Sequence, residues 1–159
     1  MDDTLLDGYL AGSEHLRAVV GDMKQEDLIA RPIAGKWSVL EVVCHLADTD
    51  ANIAHRLKRV LAEDCPEFER VQPDRMVAAL SYQAREVSDE LAMIDLTRRQ
   101  IARILQSLPA EARERVGLIK ERGPRTVTDM VNGAVEHLKH HLRFIIEKRG
   151  TFSYCFSTR

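Results

Sequence analysis

Apolar residues recur at helical spacing along most of this chain. Leu5, Leu6, Tyr9, Leu10, Leu16, Val19 and Val20 form one stripe and predict a first helix over residues 3–21. Lys24 to Arg31 reads as a short helical turn or loop, broken by Pro32 and Gly35. Ser38-Val-Leu-Glu41 is a capping box, in which the serine and glutamate side chains satisfy backbone N–H groups reciprocally. It opens a second helix that runs to about Glu63. Pro66 and Pro73 bracket an irregular connection. Val87, Leu91, Ile94, Ile101, Ile104 and Leu105 give the stripe of a third helix, from about Gln83 to Leu108, which Pro109 stops. Residues 111–123 are mixed and predict neither helix nor strand. Thr126-Val-Thr-Asp129 is a second capping box and opens a fourth helix to about Lys148. Beyond Gly150, Phe152, Tyr154 and Phe156 alternate with smaller residues, which reads as a short extended segment or a partner contact.

Four long amphipathic helices and no convincing strand pair predict an all-α four-helix bundle, with residues 1–159 forming one domain. The composition, 45% hydrophobic and 30% charged, is ordinary for a globular chain. A net charge of −2 with acid and base interspersed gives no reason to expect nucleic acid as a partner. No apolar run is long enough to span a bilayer, and the acidic start lacks a signal-peptide n-region. Cys44, Cys65 and Cys155 are scattered and odd in number, which fits a reducing, cytoplasmic setting.

Chemistry enters with the histidines. His137 and His141 are four residues apart, so their imidazoles stack on one face of the fourth helix. At roughly 100° per residue, the apolar stripe Val127, Ala134, Leu138 and Ile145 centres about 90° from His137. His141 lies on the shoulder of that stripe, whereas His140 falls on the polar side. On the second helix His45 occupies the same shoulder, beside Val42, Leu46, Ile53, Leu57 and Val60. Thr49, Asn52 and Arg56 continue its line, as expected for the polar wall of a pocket between helices. Three neutral imidazoles from two helices can hold one divalent metal and leave positions open. On periodicity alone, that reading and one of three packed core-edge histidines stand level. No H-E-x-x-H is present, so that metalloprotease pattern is excluded.

Neighbouring residues carry weaker signals. Trp37 reads as a hydrophobic staple before the Ser38 cap, with gating of a pocket as its other role. Asp48, one turn after His45, reads as a solvated helix charge or as an orienting partner of a ligand. Arg56 can receive an anionic substrate group or pair within its own helix. Cys44, rotated about 100° from His45, reads as a packed residue. His15 and His55 read as surface residues.

The run Arg31-Pro-Ile-Ala-Gly-Lys-Trp37-Ser38-Val-Leu-Glu41-Val-Val-Cys-His45-Leu-Ala-Asp48 resembles the hallmark of the DinB-like (YfiT-like) family. That pattern is a proline, a glycine-containing loop, Trp-Ser, and a helix bearing His-Leu. Arg56, Arg98 and Thr126-Val-Thr-Asp-Met-Val through His137-Leu-Lys-His-His141 extend the resemblance over essentially the whole chain. It implies an up-down-down-up bundle, often a homodimer, and a divalent metal, nickel or zinc, held by His45, His137 and His141. It also implies either thiol-dependent S-transferase or isomerase chemistry with a small-molecule thiol, or metal-dependent hydrolysis. The expected function is therefore S-transfer to small electrophiles, with Arg56 as substrate handle. Its alternatives are a hydrolase, a non-catalytic metal-binding bundle, and a stress-related interaction protein acting through a dimer face and the Phe152–Phe156 tail.

Overall fold

The structure, a computed structural model, describes the backbone of residues 3–156 and the side chains of residues 4–149. Four long helices dominate: α1 (Asp3–Val20), α3 (Val39–Ala62), α5 (Val87–Ser107) and α6 (Val127–Phe156). Short helices α2 (Gln25–Ile29) and α4 (Pro73–Ala79) lie in the connections. Both capping boxes form. Glu41 N donates to Ser38 Oγ over 3.1 Å, and Ser38 N donates to the Glu41 carboxylate over 2.7 Å. Asp129 N donates to Thr126 Oγ1, and Thr126 N to Asp129 Oδ2, each over 3.0 Å. These closures fix where α3 and α6 begin, and hence the phase of every histidine on them.

Cross-helix contacts set the topology. Asp50 meets Arg98 and Lys58 meets Gln100, so α3 and α5 run parallel. Tyr9 meets Arg98 and Ser13 meets Asp95, so α1 opposes α5. His45 meets His137 across α3 and α6, whereas Arg149 near the end of α6 meets Asp22 just beyond α1. The bundle is therefore up-down-down-up, and the parallel central pair requires the long crossover between residues 63 and 86.

The core has two apolar halves. Leu6, Leu57, Val60, Ile101, Leu105 and Val131 fill one, and Leu16, Leu40, Val43, Leu46, Ile94 and Leu138 fill the other. Each such side chain stabilises the fold by about 1.5–3 kcal/mol through its removal from water. Between the halves lies a buried ion pair. Arg98 Nη2 donates to Asp50 Oδ1 over 3.1 Å, Nη1 donates to the Tyr9 carbonyl over 2.8 Å, and both charged side chains are 1% exposed. Gly12 makes room for this guanidinium: a Cβ there would stand 2.4 Å from Arg98 Nη1.

Two expectations change. The chain is not purely helical, because β1 (Glu67–Phe68), β2 (Val116–Ile119) and β3 (Gly123–Thr126) form a small sheet. β1 pairs parallel to β2, and β2 pairs antiparallel to β3 with Ile119 opposite Gly123. The strands are too short for alternation to announce them. Their tight turn is built by Glu121 and Gly123, both at positive φ. The second change is at the C-terminus, where α6 continues through Gly150 to Phe156 instead of giving way to an extended segment. The side chains of Phe152, Tyr154 and Phe156, on which the expected contact rests, lie outside the described residues. Among the described residues no helix is long and apolar enough to cross a membrane.

Candidate metal centre

α3 and α6 bring His45, His137 and His141 together. His137 Nε2 lies 3.0 Å from His45 Nε2 and 3.1 Å from His141 Nε2. One candidate ligand atom from each residue falls within 4.8 Å of the others. His45 is buried, and the other two are half-buried. Burial, followed by the charge of neighbouring histidines, pushes each imidazole down to about 4, so all three are neutral near pH 7.

The donor set fits a cation. A neutral imidazole has one N–H and one lone pair. A single proton on His137 Nε2 cannot bond both neighbouring nitrogens at once, so lone pairs face a common point. Metal–nitrogen bonds of about 2.0–2.1 Å place facial octahedral or tetrahedral ligands roughly 2.8–3.4 Å apart, a range that holds both short spacings. On the outer side of His45, the Thr49 hydroxyl lies 3.5 Å from Nδ1, a long contact suited to accepting an Nδ1 proton and leaving Nε2 free.

The surrounding residues sort out clearly. His140 is exposed and is not one of the converging group, although its ring lies edge-on to His141 at 5.2 Å. His15 and His55 are exposed, as expected. The Trp37 ring stands edge-on to His45 at 5.1 Å, so it borders the centre as well as preceding the cap. Cys44 is buried, its Sγ lies 3.6 Å from the Tyr82 carbonyl, and burial pushes its thiol up to about 12, which removes it as a nucleophile.

Asp48 is neither a solvated charge nor a contact of a histidine. Tyr82 Oη donates to its Oδ2 over 2.6 Å, and Arg85 Nη1 donates to its Oδ1 over 3.2 Å. Tyr82 and Arg85 had no signal in the sequence, because a 3₁₀ turn at residues 82–84 inside the crossover delivers them. Desolvation and this bond to a carboxylate push the Tyr82 hydroxyl well above its ordinary range.

A cavity of about 300 Å³ opens beside His45 and His137. Thr49, Asn52 and Arg56 line one wall, as the α3 pattern predicted, and Ile119, Arg122 and Arg125 line another. Arg56 is not paired within its helix. Its Nη2 donates to the Glu69 carbonyl over 2.6 Å, and its guanidinium lies 5.6 Å from the centre of the Phe68 ring. A second depression, lined by Trp37, Phe144 and His140, reaches His141.

Comparison with known proteins agrees with this architecture. The profile of the DinB superfamily matches residues 11–145, and the chain belongs to that superfamily. It is 26% identical over 130 residues to a protein of Oceanobacillus iheyensis that carries the name "Putative metal-dependent hydrolase", covering 82% of this chain and 75% of that one. A protein of the same name from Bacillus cereus strain B4264 is 26% identical over 134 residues, covering 84% of this chain and 77% of the relative. Among solved structures, YfiT from Bacillus subtilis, a four-helix bundle of unusual topology, superposes with a TM-score of 0.89 at 22% identity. That match covers 95% of this chain and 87% of YfiT.

Proposed function

We propose that this protein is a metal-dependent enzyme that holds one divalent ion, nickel or zinc, on His45, His137 and His141 and transfers a small-molecule thiol to an electrophile. The observation that carries the reading is the convergence of three neutral imidazoles, two of whose Nε2 spacings are 3.0 and 3.1 Å, at the edge of a cavity. A divalent ion in such a site lowers the pKa of a coordinated thiol or water and so supplies a nucleophile near neutral pH.

The protein's own part is to bind and orient. Thr49 and Asn52 offer hydrogen bonds along the wall next to His45, and Arg56 offers a charged handle further down α3. Asp48, the cavity's carboxylate one turn from His45, is occupied by Tyr82 and Arg85. Asp74 of α4 lines the depression at His141 and acts electrostatically on His45, so it is the carboxylate placed to serve as a base. A thiol needs less help from such a base than water does, because its proton leaves far more readily. The second reading is a hydrolase, favoured by the names of the relatives.

The test is turnover by nickel- or zinc-loaded protein. Candidate thiols (bacillithiol, mycothiol, glutathione, coenzyme A) are offered with a haloaromatic or an epoxide, and simple esters are offered alone. Metal-dependent thioether formation supports transfer. Ester cleavage without thioether formation replaces it with hydrolysis, and neither reaction above the metal-free control leaves a non-catalytic metal-binding bundle.

A further inference from the structure

Three guanidinium groups line the cavity beside the histidines, and none of them hydrogen-bonds a carboxylate among the described residues. Arg56 comes from α3, Arg122 from the β2–β3 turn, and Arg125 from β3. The Arg122 side chain has no hydrogen bond or ion pair among the described residues. Arg125 Nη1 donates to the neighbouring Pro124 carbonyl over 2.9 Å, and its charge acts on Asp129 without a hydrogen bond to it. Arg56 donates to a carbonyl, which leaves its charge uncompensated. Arg70 also lines the cavity, but its charge is met by Glu121 at 3.7 Å. The two carboxylates on the lining are occupied: Asp48 by Tyr82 and Arg85, and Asp129 by the backbone and hydroxyl of Thr126.

Burial, and then the nearby Arg122 charge, hold the Arg56 guanidinium below its ordinary range. The Arg122 charge also reaches His137, so it lies within electrostatic range of both the handle and the metal centre. Planar guanidinium forks match the oxygens of carboxylates and phosphates, and several forks converging on one cavity match more than one negative charge. The spacing along α3 gives the ligand's length. Arg56 is eleven residues beyond His45, a rise of about 16 Å at the Cα atoms, and its side chain leans back towards the N-terminus.

We infer that the guanidinium end of this cavity, Arg56 with Arg122 and Arg125, binds a dianionic head group, a phosphate or a pair of carboxylates, on a substrate whose reactive end reaches the histidines. This deepens the proposed function, since it assigns the substrate class of the same cavity, but the anion site itself requires no metal. It also gives the small sheet a role, because the sheet carries two of the three arginines to a bundle that supplies only one.

The experiment measures binding of inorganic phosphate, succinate and acetate by calorimetry, to chelator-treated and to metal-loaded protein. Phosphate or succinate is expected to bind the chelator-treated protein at least tenfold more tightly than acetate does, and the preferred one identifies the head group. Arg122→Gln is expected to weaken that binding at least tenfold, with Arg122→Lys in between. Arg122 lies in an exposed turn, and an unchanged circular dichroism melt confirms the variant's fold. Equal binding of acetate and the dianions, or no binding at millimolar concentration, overturns the inference. So does dianion binding that chelation abolishes and Arg122→Gln leaves intact, because the anion then sits on the metal. Failure of the metal reading is separate, since protein that takes up no metal would still bind the dianion through Arg122.

Discussion

His137 Nε2 stands between its two neighbours, 3.0 Å from His45 Nε2 and 3.1 Å from His141 Nε2. Removing it leaves the other two without the shared vertex. His137→Ala should therefore reduce bound nickel or zinc from close to one per chain to background. His140→Ala should leave it unchanged, because that ring is exposed and outside the converging group. Elemental analysis after gel filtration checks both, and metal loss in His140→Ala alone would show that the assignment of α6 is wrong.

The pH dependence follows from the burial of the three rings. A free imidazole protonates near pH 6.5, and metal loss near that pH would be expected for an exposed site. Here each histidine is pushed down to about 4. Metal retention on dialysis should hold at pH 5.5 and fail only nearer pH 4. For metal-free protein, the unfolded chain binds more protons than the folded one between about pH 6.5 and 4, so stability is full above that window and is lost as pH falls through it. Urea midpoints at pH 7, 5.5 and 4.5 should decrease in that order. A flat series would mean that the rings are solvated.

The bundle and the triad were legible in the sequence for one reason. The histidines lie on helices with strong apolar stripes and capped starts, so their relative angles follow from the helix period alone. The same logic failed wherever position depends on irregular backbone. Tyr82 and Arg85 reach Asp48 from a 3₁₀ turn. Arg122 reaches the cavity from the β2–β3 turn, built by Glu121 and Gly123 at positive φ, and Arg125 reaches it from the four-residue strand β3. Read along the chain, these arginines are dispersed among acids. The fold gathers them on one cavity, which is why the interspersed pattern concealed a local basic site.

The Ser38 cap should matter more to the site than its size implies. Ser38 and Glu41 exchange two hydrogen bonds, and Arg31 Nε donates to the Glu41 carboxylate over 2.9 Å. These bonds hold Glu41, which is 1% exposed, below the usual carboxylate range despite burial. Ser38→Ala should cost about 1 kcal/mol in urea unfolding, the usual value of a lost N-cap. Because His45 follows two turns later, hydrogen exchange should quicken over the first turns of α3 and metal affinity should fall modestly. A loss of stability with unaltered exchange in residues 39–45 would count against this coupling.

The pair most exposed to single substitution is Arg98 with Asp50, each 1% exposed and joined by two hydrogen bonds. Arg98→Met removes one charge and leaves the other buried, a change worth about 3–5 kcal/mol of destabilisation. It also removes the hydrogen bond from Arg98 Nη1 to the Tyr9 carbonyl. Burial already opposes ionisation of Asp50 and holds its carboxyl above the ordinary range despite the arginine. Without Arg98, Asp50 should take up a proton on folding, so the variant's deficit should shrink as pH falls towards 5. Arg98→Met with Asp50→Leu removes both charges, and the double variant should be more stable than Arg98→Met alone. Chemical denaturation of the parent protein, Arg98→Met, Asp50→Leu and the double variant at pH 7 and pH 5 forms the cycle. A double variant no more stable than Arg98→Met would mean that packing around Gly12 and Tyr9, rather than an uncompensated carboxylate, sets the cost.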